Sequence, residues 1–451
     1  MKTETEFRDD VYQKLERARA ARRKRNRALL LCLPLLLAAV ACTAVFWPGN
    51  GLRVLSAGAA APNYPKAFDP SELFAQERLS QSSPIDPAFQ ESMNRFGLET
   101  ANALAVSPGE NAVYCPPSLY YALSLAGTGA AGQTQEELYR LLGASSTESL
   151  SENCRKLFSW LYMQSDDSKL TVANSVWLSK EGSFEPDFLN RAENDFFASV
   201  FPVDFNDATA EKMAQWVSDN TGGLLSPKFQ FDPSTLLELL NTVYYKDTWS
   251  TPFKGATRTE SFRTVDGDVD ADFMHDGGYG SALETEQYRC AARNFVSGGR
   301  MVFFLPEEGI PPQQLLADPD GLLDSLRLLQ DGEETRFVDW SVPKFSYEVE
   351  YDLIDPLKAM GVETAFDPRN ADFSGMTNIP AFIGTVRQGV KISLDENGIE
   401  AAAFTEIALT GTGAAEEPEP WEMKLDRPFL YCVLSPDGTL LFVGVCENPA
   451  A

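Results

Sequence analysis

Residues 395–405 read Asp395-Glu396-Asn397-Gly398-Ile399-Glu400-Ala401-Ala402-Ala403-Phe404-Thr405. They begin a stretch, residues 398–420, that contains three glycines and two prolines among mostly small side chains. This composition predicts a long exposed loop, because glycine and proline favour turns over the interiors of helices and strands. The first half of the predicted loop nevertheless alternates with a period of two residues.

The alternation divides the first half of the loop into two faces. One face is small or apolar throughout and consists of Ile399, Ala401, Ala403, Thr405, Ile407 and Leu409. The other face carries all the charge and consists of Glu400, Ala402, Phe404, Glu406, Ala408 and Thr410. A period of two is typical of a strand with one buried face. Small side chains would let the segment slide between strands of an existing sheet, which indicates a metastable fold. An ordinary edge strand followed by an acidic loop fits the same pattern.

Periodicity elsewhere predicts helices early in the chain and strands late. Asp86-Pro87 has the form of a helix start, and Thr134 to Glu137 that of a capping box. Residues 170–178 alternate as a half-buried strand, and residues 301–305 form a short apolar run. Two apolar runs flank a Ser-Pro-Asp-Gly turn at 435–438, which predicts a hairpin. The order of elements predicts an α+β fold.

Charge divides the chain into a basic head and an acidic body. The 451 residues carry a net charge of −27, and the sequence pI is about 4.5. This net charge argues against nucleic acid as a partner, because its binding requires clustered Lys and Arg to displace counterions from phosphates. Residues 1–28 contain ten basic and five acidic residues, a net of +5, so the remainder carries −32. This asymmetry points to a membrane.

The segment after the basic head predicts a membrane span. Residues 28–47, from Ala28 to Trp47, carry no charge, and about 20 apolar residues cross a bilayer as a helix. Residues 1–27 then form a cytoplasmic basic segment by the positive-inside rule. Residues 48–83 form an extracytoplasmic linker rich in small residues, and residues 84–451 form the globular domain. This predicts a single-pass protein of the cell membrane.

Two other interpretations of residues 28–47 stay open. A cleaved signal peptide would make the protein secreted, although the charged head is long for one. A lipoprotein site at Cys42 would anchor the chain through a lipid, because Ala39-Val40-Ala41-Cys42 loosely matches such a site.

Enzyme signatures are weak. The only histidine is His275, and no nucleophile motif surrounds it, so a Ser-His-Asp or Cys-His site is not supported. Residues 127–132 match GxGxxG, but a helix precedes them instead of a strand, which predicts a turn between helices. The seven cysteines include no CxxC pair, so no metal or redox site is predicted. Neither catalysis nor a cofactor is predicted.

Residues 395–405 resemble the hinge of the serpins, a family of serine-protease inhibitors, which reads roughly E-E-G-T-E-A-A-A-A-T. Matching hinge positions are Glu396, Gly398, Ile399, Glu400, Ala401, Ala402, Ala403 and Thr405. Further resemblances follow in the family's order at residues 111–119, 129–134, 216–222, 241–253, 342–345, 371–376, 426–431, 441–444 and 448–449. The resemblance covers residues 84–449. It implies helices packed around a large, mostly antiparallel central sheet, with smaller sheets and an exposed reactive loop.

The chain departs from the family pattern at several positions. The family's shutter, a polar cluster that gates opening of the sheet, maps to Cys115, Ser118 and Gln388, where Cys115 replaces a serine and Gln388 a histidine. Ala214 stands where the family has an asparagine, and Ile399 replaces a small hinge residue. These departures keep open a second function, that of a non-inhibitory serpin acting as a binding or scaffold protein.

The resemblance implies inhibition by a suicide mechanism. A serine protease cuts the loop, and the cut loop inserts into the sheet with the protease attached. The family's usual spacing puts the reactive bond between Thr412 and Gly413, with Ala414 and Ala415 as alternatives. These small residues fit the shallow pockets of elastase-like or subtilisin-like proteases. The resemblance therefore implies a serine protease as the partner. The protein itself is predicted to be a monomer.

Overall fold

The computed structural model describes residues 62–72, 74–104, 106–232, 234–332, 335–399 and 420–451. The predicted membrane span at 28–47 and the loop residues 400–419 lie outside these ranges. Among the residues that are described, no helix is both long enough and apolar enough to cross a bilayer.

Most helices precede the main strands, as the sequence predicts. The helices are α1 Ala75–Ser82, α2 Pro87–Ala103, α3 Pro116–Thr128, α4 Gly132–Leu142, α5 Thr147–Trp160, α6 Pro186–Asn194, α7 Asp207–Asn220, α8 Pro312–Leu315, α9 Pro319–Asp331 and α10 Ile354–Ala359. Asp86 caps α2 as predicted, because its side chain accepts a hydrogen bond from the Ala88 N–H at 2.9 Å. The GxGxxG segment joins α3 to α4. Helix α4, however, begins at Gly132, ahead of the predicted capping box.

One sheet has seven strands in the described part of the chain. Its strands are β2 Met163–Gln164, β3 Ser168–Ser179, β4 Ala198–Val203, β5 Leu237–Thr248, β11 Phe345–Asp352, β12 Arg387–Leu394 and β13 Gly398–Ile399. They lie in the order β11-β12-β13-β5-β3-β2, and β4 pairs with β3 in parallel. The other pairs are antiparallel.

The second sheet has nine strands among the described residues. They are β1 Ala112–Tyr114, β6 Arg258–Thr264, β7 Gly267–Glu284, β8 Tyr288–Asn294, β9 Arg300–Pro306, β10 Thr335–Pro343, β14 Trp421–Lys424, β15 Phe429–Leu434 and β16 Leu440–Cys446. The order is β1-β16-β15-β9-β8-β7-β10-β14, with β6 on β7. The predicted hairpin is β15 and β16, and the predicted apolar strand is β9. The α+β fold class is confirmed.

The core lies between the sheets and the helices. Strands β9, β15 and β16 are buried along almost their whole length, which accounts for their nearly continuous apolar sequence. The five cysteines in the described ranges are buried and free: Cys115, Cys154, Cys290, Cys432 and Cys446. They serve as small apolar core residues.

The end of the predicted linker packs on the body of the protein. Phe68 is buried and forms a parallel bridge with Met163, which extends the edge of the seven-stranded sheet beyond β2. Tyr64 stacks on Phe158 and Tyr162. Helix α1 follows, and the Gln76 amide donates to the Ser297 carbonyl at 3.2 Å. Residues 62–72 and 74–83 are therefore docked on the globular domain.

Candidate functional site

A two-residue strand separates the two middle strands of the seven-stranded sheet. Ile399 of β13 pairs with Leu394 of β12 on one side and with Asp247 of β5 on the other. Two strand spacings therefore separate β12 from β5 here, about 9.5 Å. Although both strands are fully described, no ladder pair joins them directly. The hinge thus begins as a strand at the mouth of an opening between β12 and β5.

A tight turn, residues 395–397, carries the chain from β12 into β13. All three of its carbonyl groups accept hydrogen bonds from the segment after β5, residues 249–253. The Trp249 indole Nε1–H donates to the Asp395 carbonyl at 3.1 Å, and the Trp249 N–H donates to Asn397 at 2.8 Å. The Phe253 N–H donates to Glu396 at 3.2 Å. The hinge turn is thereby fixed to the end of β5.

The Glu396 side chain holds the same turn from outside. Its carboxylate accepts hydrogen bonds from the Thr257 hydroxyl at 2.6 Å and from the Lys344 ammonium at 3.2 Å. Partial burial would raise the pKa of Glu396, but these bonds to its charged form lower the pKa overall. The Glu396–Lys344 ion pair is about two-thirds shielded from water on both sides.

Gly398 passes very close to β5. A Cβ atom at this position would lie 2.0 Å from the Asp247 carbonyl oxygen, and the backbone φ is +150°. Any side chain would therefore push the hinge out of the sheet, which explains why glycine occupies the position.

Asp247 places a buried carboxylate beside the hinge. The residue is fully shielded from water, and its carboxylate accepts hydrogen bonds from the Tyr245 hydroxyl at 2.7 Å, the Thr248 N–H at 2.9 Å and the Ser297 hydroxyl. Burial raises the pKa of Asp247 to about 6, although these three donors oppose the shift. A charge-bearing group thus lies directly opposite Ile399.

The shutter positions lie toward the other end of the opening. Gln388 of β12 and Cys115, which directly precedes α3, are both buried and bond reciprocally. The Cys115 N–H donates to Gln388 Oε1, and Gln388 Nε2–H donates to the Cys115 carbonyl, each at 2.9 Å. The amide of Gln388 therefore satisfies both backbone groups of Cys115 and joins β12 to the start of α3.

The remaining shutter positions contribute less to this pair. Ser118 lies in the first turn of α3, and its N–H is directed at the Cys115 thiol. Burial raises the pKa of that thiol to about 12 despite this contact. Ala214 lies on α7, a separate element, and its methyl group can form no hydrogen bond. The structure thus joins Cys115 and Gln388 by hydrogen bonds, whereas Ala214 lies on a different element, α7.

No role was predicted from the sequence for several polar residues of this region. Asn174 of β3 and Asn241 of β5 are register partners joined by a 2.6 Å side-chain bond, and Asn174 also donates to the Phe196 carbonyl. Neither these two residues nor Asp247 was predicted to have a role. Asn241 and Asp247, like Trp249 and Lys344, lie inside segments that carry the family resemblance, so that signal was available in the sequence, whereas Asn174 lies outside those segments.

The other predicted site residues lie outside the described ranges. These are Glu400, Ala401, Ala402, Ala403 and Thr405 of the hinge, and Thr412, Gly413, Ala414 and Ala415 at the reactive bond. Within the described ranges, no group of three His, Cys, Asp or Glu side chains is arranged to hold a metal ion.

Comparison with known proteins agrees with this geometry. The sequence family described as serpin (serine protease inhibitor) matches residues 91–449, about four fifths of the chain. The chain belongs to the serpin family. An uncharacterized serpin-like protein of Thermococcus kodakarensis is 30% identical over 375 residues, covering 79% of this chain and 85% of the relative. Iripin-1 of Ixodes ricinus is 30% identical over 372 residues, covering 78% of this chain and 92% of the relative.

Solved serpin structures match the fold. The native state of the thermophilic serpin tengpin is 26% identical with a TM-score of 0.73, covering 86% of this chain and 99% of its own. Thyroxine-binding globulin in complex with thyroxine is 25% identical with a TM-score of 0.68, covering 80% and 99%. Serpins are generally serine-protease inhibitors and not enzymes, so the predicted absence of catalysis agrees with the family.

Replacing Gln388 should weaken the shutter. Gln388→Leu keeps the size of the side chain but leaves the buried N–H and carbonyl of Cys115 without partners. Each lost partner costs about 1–3 kcal/mol, so we expect the free energy of unfolding to fall by about 2–6 kcal/mol in urea titrations. Gln330→Leu, at an exposed position, serves as the control and should change stability by less than about 0.5 kcal/mol. Equal stability of the two variants would contradict the assigned role.

Asp247 should make stability depend on pH. Its pKa is about 6 in the folded protein and about 3.9 when unfolded, so the folded state binds more protons between these values. Stability should therefore rise as pH falls from about 7 to 4. Asp247→Asn should reduce this rise by about 1–3 kcal/mol in unfolding titrations at pH 4.5 and 7.5. Part of the rise should remain, because burial also raises the pKa of Glu238, to about 7. Ser297→Ala deletes one donor to the Asp247 carboxylate, so the pH range over which stability changes should move upward. Identical pH profiles for the wild type and both variants would refute the role given to Asp247.

Proposed function

We propose that the chain is a membrane-tethered, extracytoplasmic serpin that traps elastase-like or subtilisin-like serine proteases by inserting its cut loop between β12 and β5. The observation that carries this proposal is the position of β13. Its two residues already pair with both flanking strands, while β12 and β5 do not pair with each other.

The register at Ile399 determines which loop residues would face the core on insertion. Continued antiparallel pairing puts Ala403 between Val390 of β12 and Val243 of β5. Val390 is buried, and Val243 packs against the core. The small or apolar face of the loop would therefore point inward, as Ile399 already does with 3% of its surface exposed.

The other face of the loop would point away from this part of the core. In the same register Ala402 comes between Lys391 of β12 and Tyr244 of β5, both half-buried. Each inserted residue would add ladder hydrogen bonds worth about 0.5–1.5 kcal/mol net. Together with apolar burial, about a dozen such residues offset the ordering cost of about 1–2 kcal/mol per residue.

Two arginine variants test the insertion. Ala403→Arg puts a charge on the inward face, where burial without a partner costs several kcal/mol. It should still be cut by an elastase but should form no covalent complex on denaturing electrophoresis. Ala402→Arg carries the same charge on the opposite face and should trap like the wild type.

The outcomes separate the candidate functions. Trapping by Ala403→Arg at the wild-type level would show that the faces are assigned wrongly. Clean cleavage of the wild-type protein without trapping would favour the alternative, a non-inhibitory binding or scaffold serpin. Ile399, a large residue at a position where the family has a small one, is the observation behind that alternative.

The reactive bond is expected after Thr412. Residues 411–415 are all small, so trypsin-like pockets that bind Arg or Lys lack a partner there. Mass spectrometry of the released C-terminal fragment should show a new N-terminus at Gly413; one at Ala415 would instead identify Ala414 as the residue before the cut. Preferential trapping of trypsin over elastase would overturn the proposed specificity.

Tethering through residues 28–47 predicts a defined topology. External protease on intact cells should release the body of the protein and leave residues 1–27 inside. The Cys42→Ser variant should give the same result as the wild type. If that variant is no longer held at the membrane, the anchor is a lipid on Cys42. Wild-type protein found in the medium would identify a cleaved leader. Deletion of residues 1–50 should yield a folded soluble protein, since Tyr64 and Phe68 remain to dock.

A further inference from the structure

Arg293 of β8 is a buried cation with one hydrogen-bond partner on the neighbouring strand β7 and another in the segment that follows β5. Only 8% of the residue is exposed. Its Nη2 group donates to the Thr251 carbonyl at 2.6 Å and to Asp276 Oδ2 on β7 at 2.7 Å. The Asp276 side chain is also largely buried, so water screens this ion pair weakly.

Aromatic rings enclose the Arg293 guanidinium. Its central carbon lies 3.9 Å from the ring centre of Phe253 and 5.7 Å from those of Trp249 and Trp340. These distances are typical of cation–π contacts, which a planar guanidinium forms while it also donates hydrogen bonds. Trp249 is fixed further by stacking on Phe295 at 4.5 Å.

Two of these rings belong to the segment that holds the hinge turn. Trp249 and Phe253 donate all three hydrogen bonds to the carbonyl groups of residues 395–397. Thr251, whose carbonyl accepts from Arg293, lies between them. Arg293 therefore contacts Trp249, Thr251 and Phe253, in the segment that binds the hinge turn at the start of the loop.

The third ring belongs to the strand that holds the other end of the loop. Trp340 of β10 is the register partner of Asp276 on β7 and of Met423 on β14. Strand β14 begins at Trp421, directly after the loop. Met423 is fully buried, and β10 is its ladder neighbour.

We propose that Arg293 is a positioning residue that fixes the two ends of the reactive loop relative to each other, through residues 249–253 at the hinge and through Trp340 at β14. The functional effect of Arg293 rests on the proposed inhibitory function: by fixing the two loop ends, Arg293 would restrain β5 and delay insertion until the loop is cut. The juxtaposition itself is independent of that function.

Three variants test the assignment. Arg293→Met removes the charge and both hydrogen bonds, and Arg293→Lys restores a charge without the planar fork. Arg300→Met is the matched control: Arg300 is also a partly buried arginine, at the start of the neighbouring strand β9, but it donates to the Leu329 carbonyl at the end of α9. If Arg293→Met does not fold, the lysine variant carries the test.

Hydrogen exchange followed by mass spectrometry measures the constraint directly. Under native conditions, Arg293→Met should raise the exchange rate at least tenfold in peptides covering residues 249–253 and 421–424, relative to Arg300→Met. Arg293→Lys should be intermediate. Equal exchange in the two methionine variants would overturn the proposal, and a change confined to one of the two peptides would overturn the coupling between the loop ends.

A synthetic peptide of residues 400–413 tests the consequence for insertion. It should anneal to wild-type protein and raise its melting temperature, and it should anneal at least tenfold faster to Arg293→Met, with Arg300→Met within twofold of wild type. Equal annealing rates for the two methionine variants would overturn the role of Arg293 in insertion. A wild-type protein that neither binds the peptide nor gains stability when its loop is cut would refute the proposed inhibitory function, while the exchange result would still decide the role of Arg293.

Discussion

The pairing of Ile399 with both Leu394 and Asp247 is the interaction on which the rest of the structure depends. It keeps β12 and β5 one strand apart at the mouth of the opening, so that the facing ladder groups of the two strands do not satisfy each other. Backbone polar groups strongly favour partners, so the facing ladder groups of β12 and β5 favour hydrogen bonds to a strand placed between them. A strand that follows Ile399 in register can supply them.

Buried polar groups are concentrated along this opening. Asp247 lies opposite the hinge, and the Gln388–Cys115 pair lies at the far end of β12. Asn174 and Asn241 join β5 to β3 in the middle of the sheet. Asp247 and the Gln388–Cys115 pair have hydrogen-bond partners, and the Asn241 amide donates to Asn174, so moving β5 or β12 breaks defined bonds. Such groups make the sheet resist gradual deformation and favour discrete states.

The local predictions succeeded where neighbouring residues decide the structure. The Asp86 cap, strands β3 and β9, and the β15–β16 hairpin follow from patterns a few residues long. The predicted capping box failed because tertiary contacts took its groups. Thr134 accepts a hydrogen bond from the Asp372 N–H, and Glu137 accepts bonds from Glu363 and Thr364. Helix α4 begins at Gly132 instead.

The sequence by itself determined the α+β class, the serpin family and the alternation that prepares the loop to become a strand. These depend on composition, short-range periodicity and the order of motifs. Periodicity determines local structure, and composition and motif order are properties of the sequence itself. Only the tertiary structure decided which groups surround the hinge. Asp247, Trp249, Arg293 and Lys344 lie between about 50 and 150 residues from Gly398 along the chain. Their roles follow from strand order and register, which pairing between distant segments sets, although Asp247, Trp249 and Lys344 lie inside segments that carry the family resemblance.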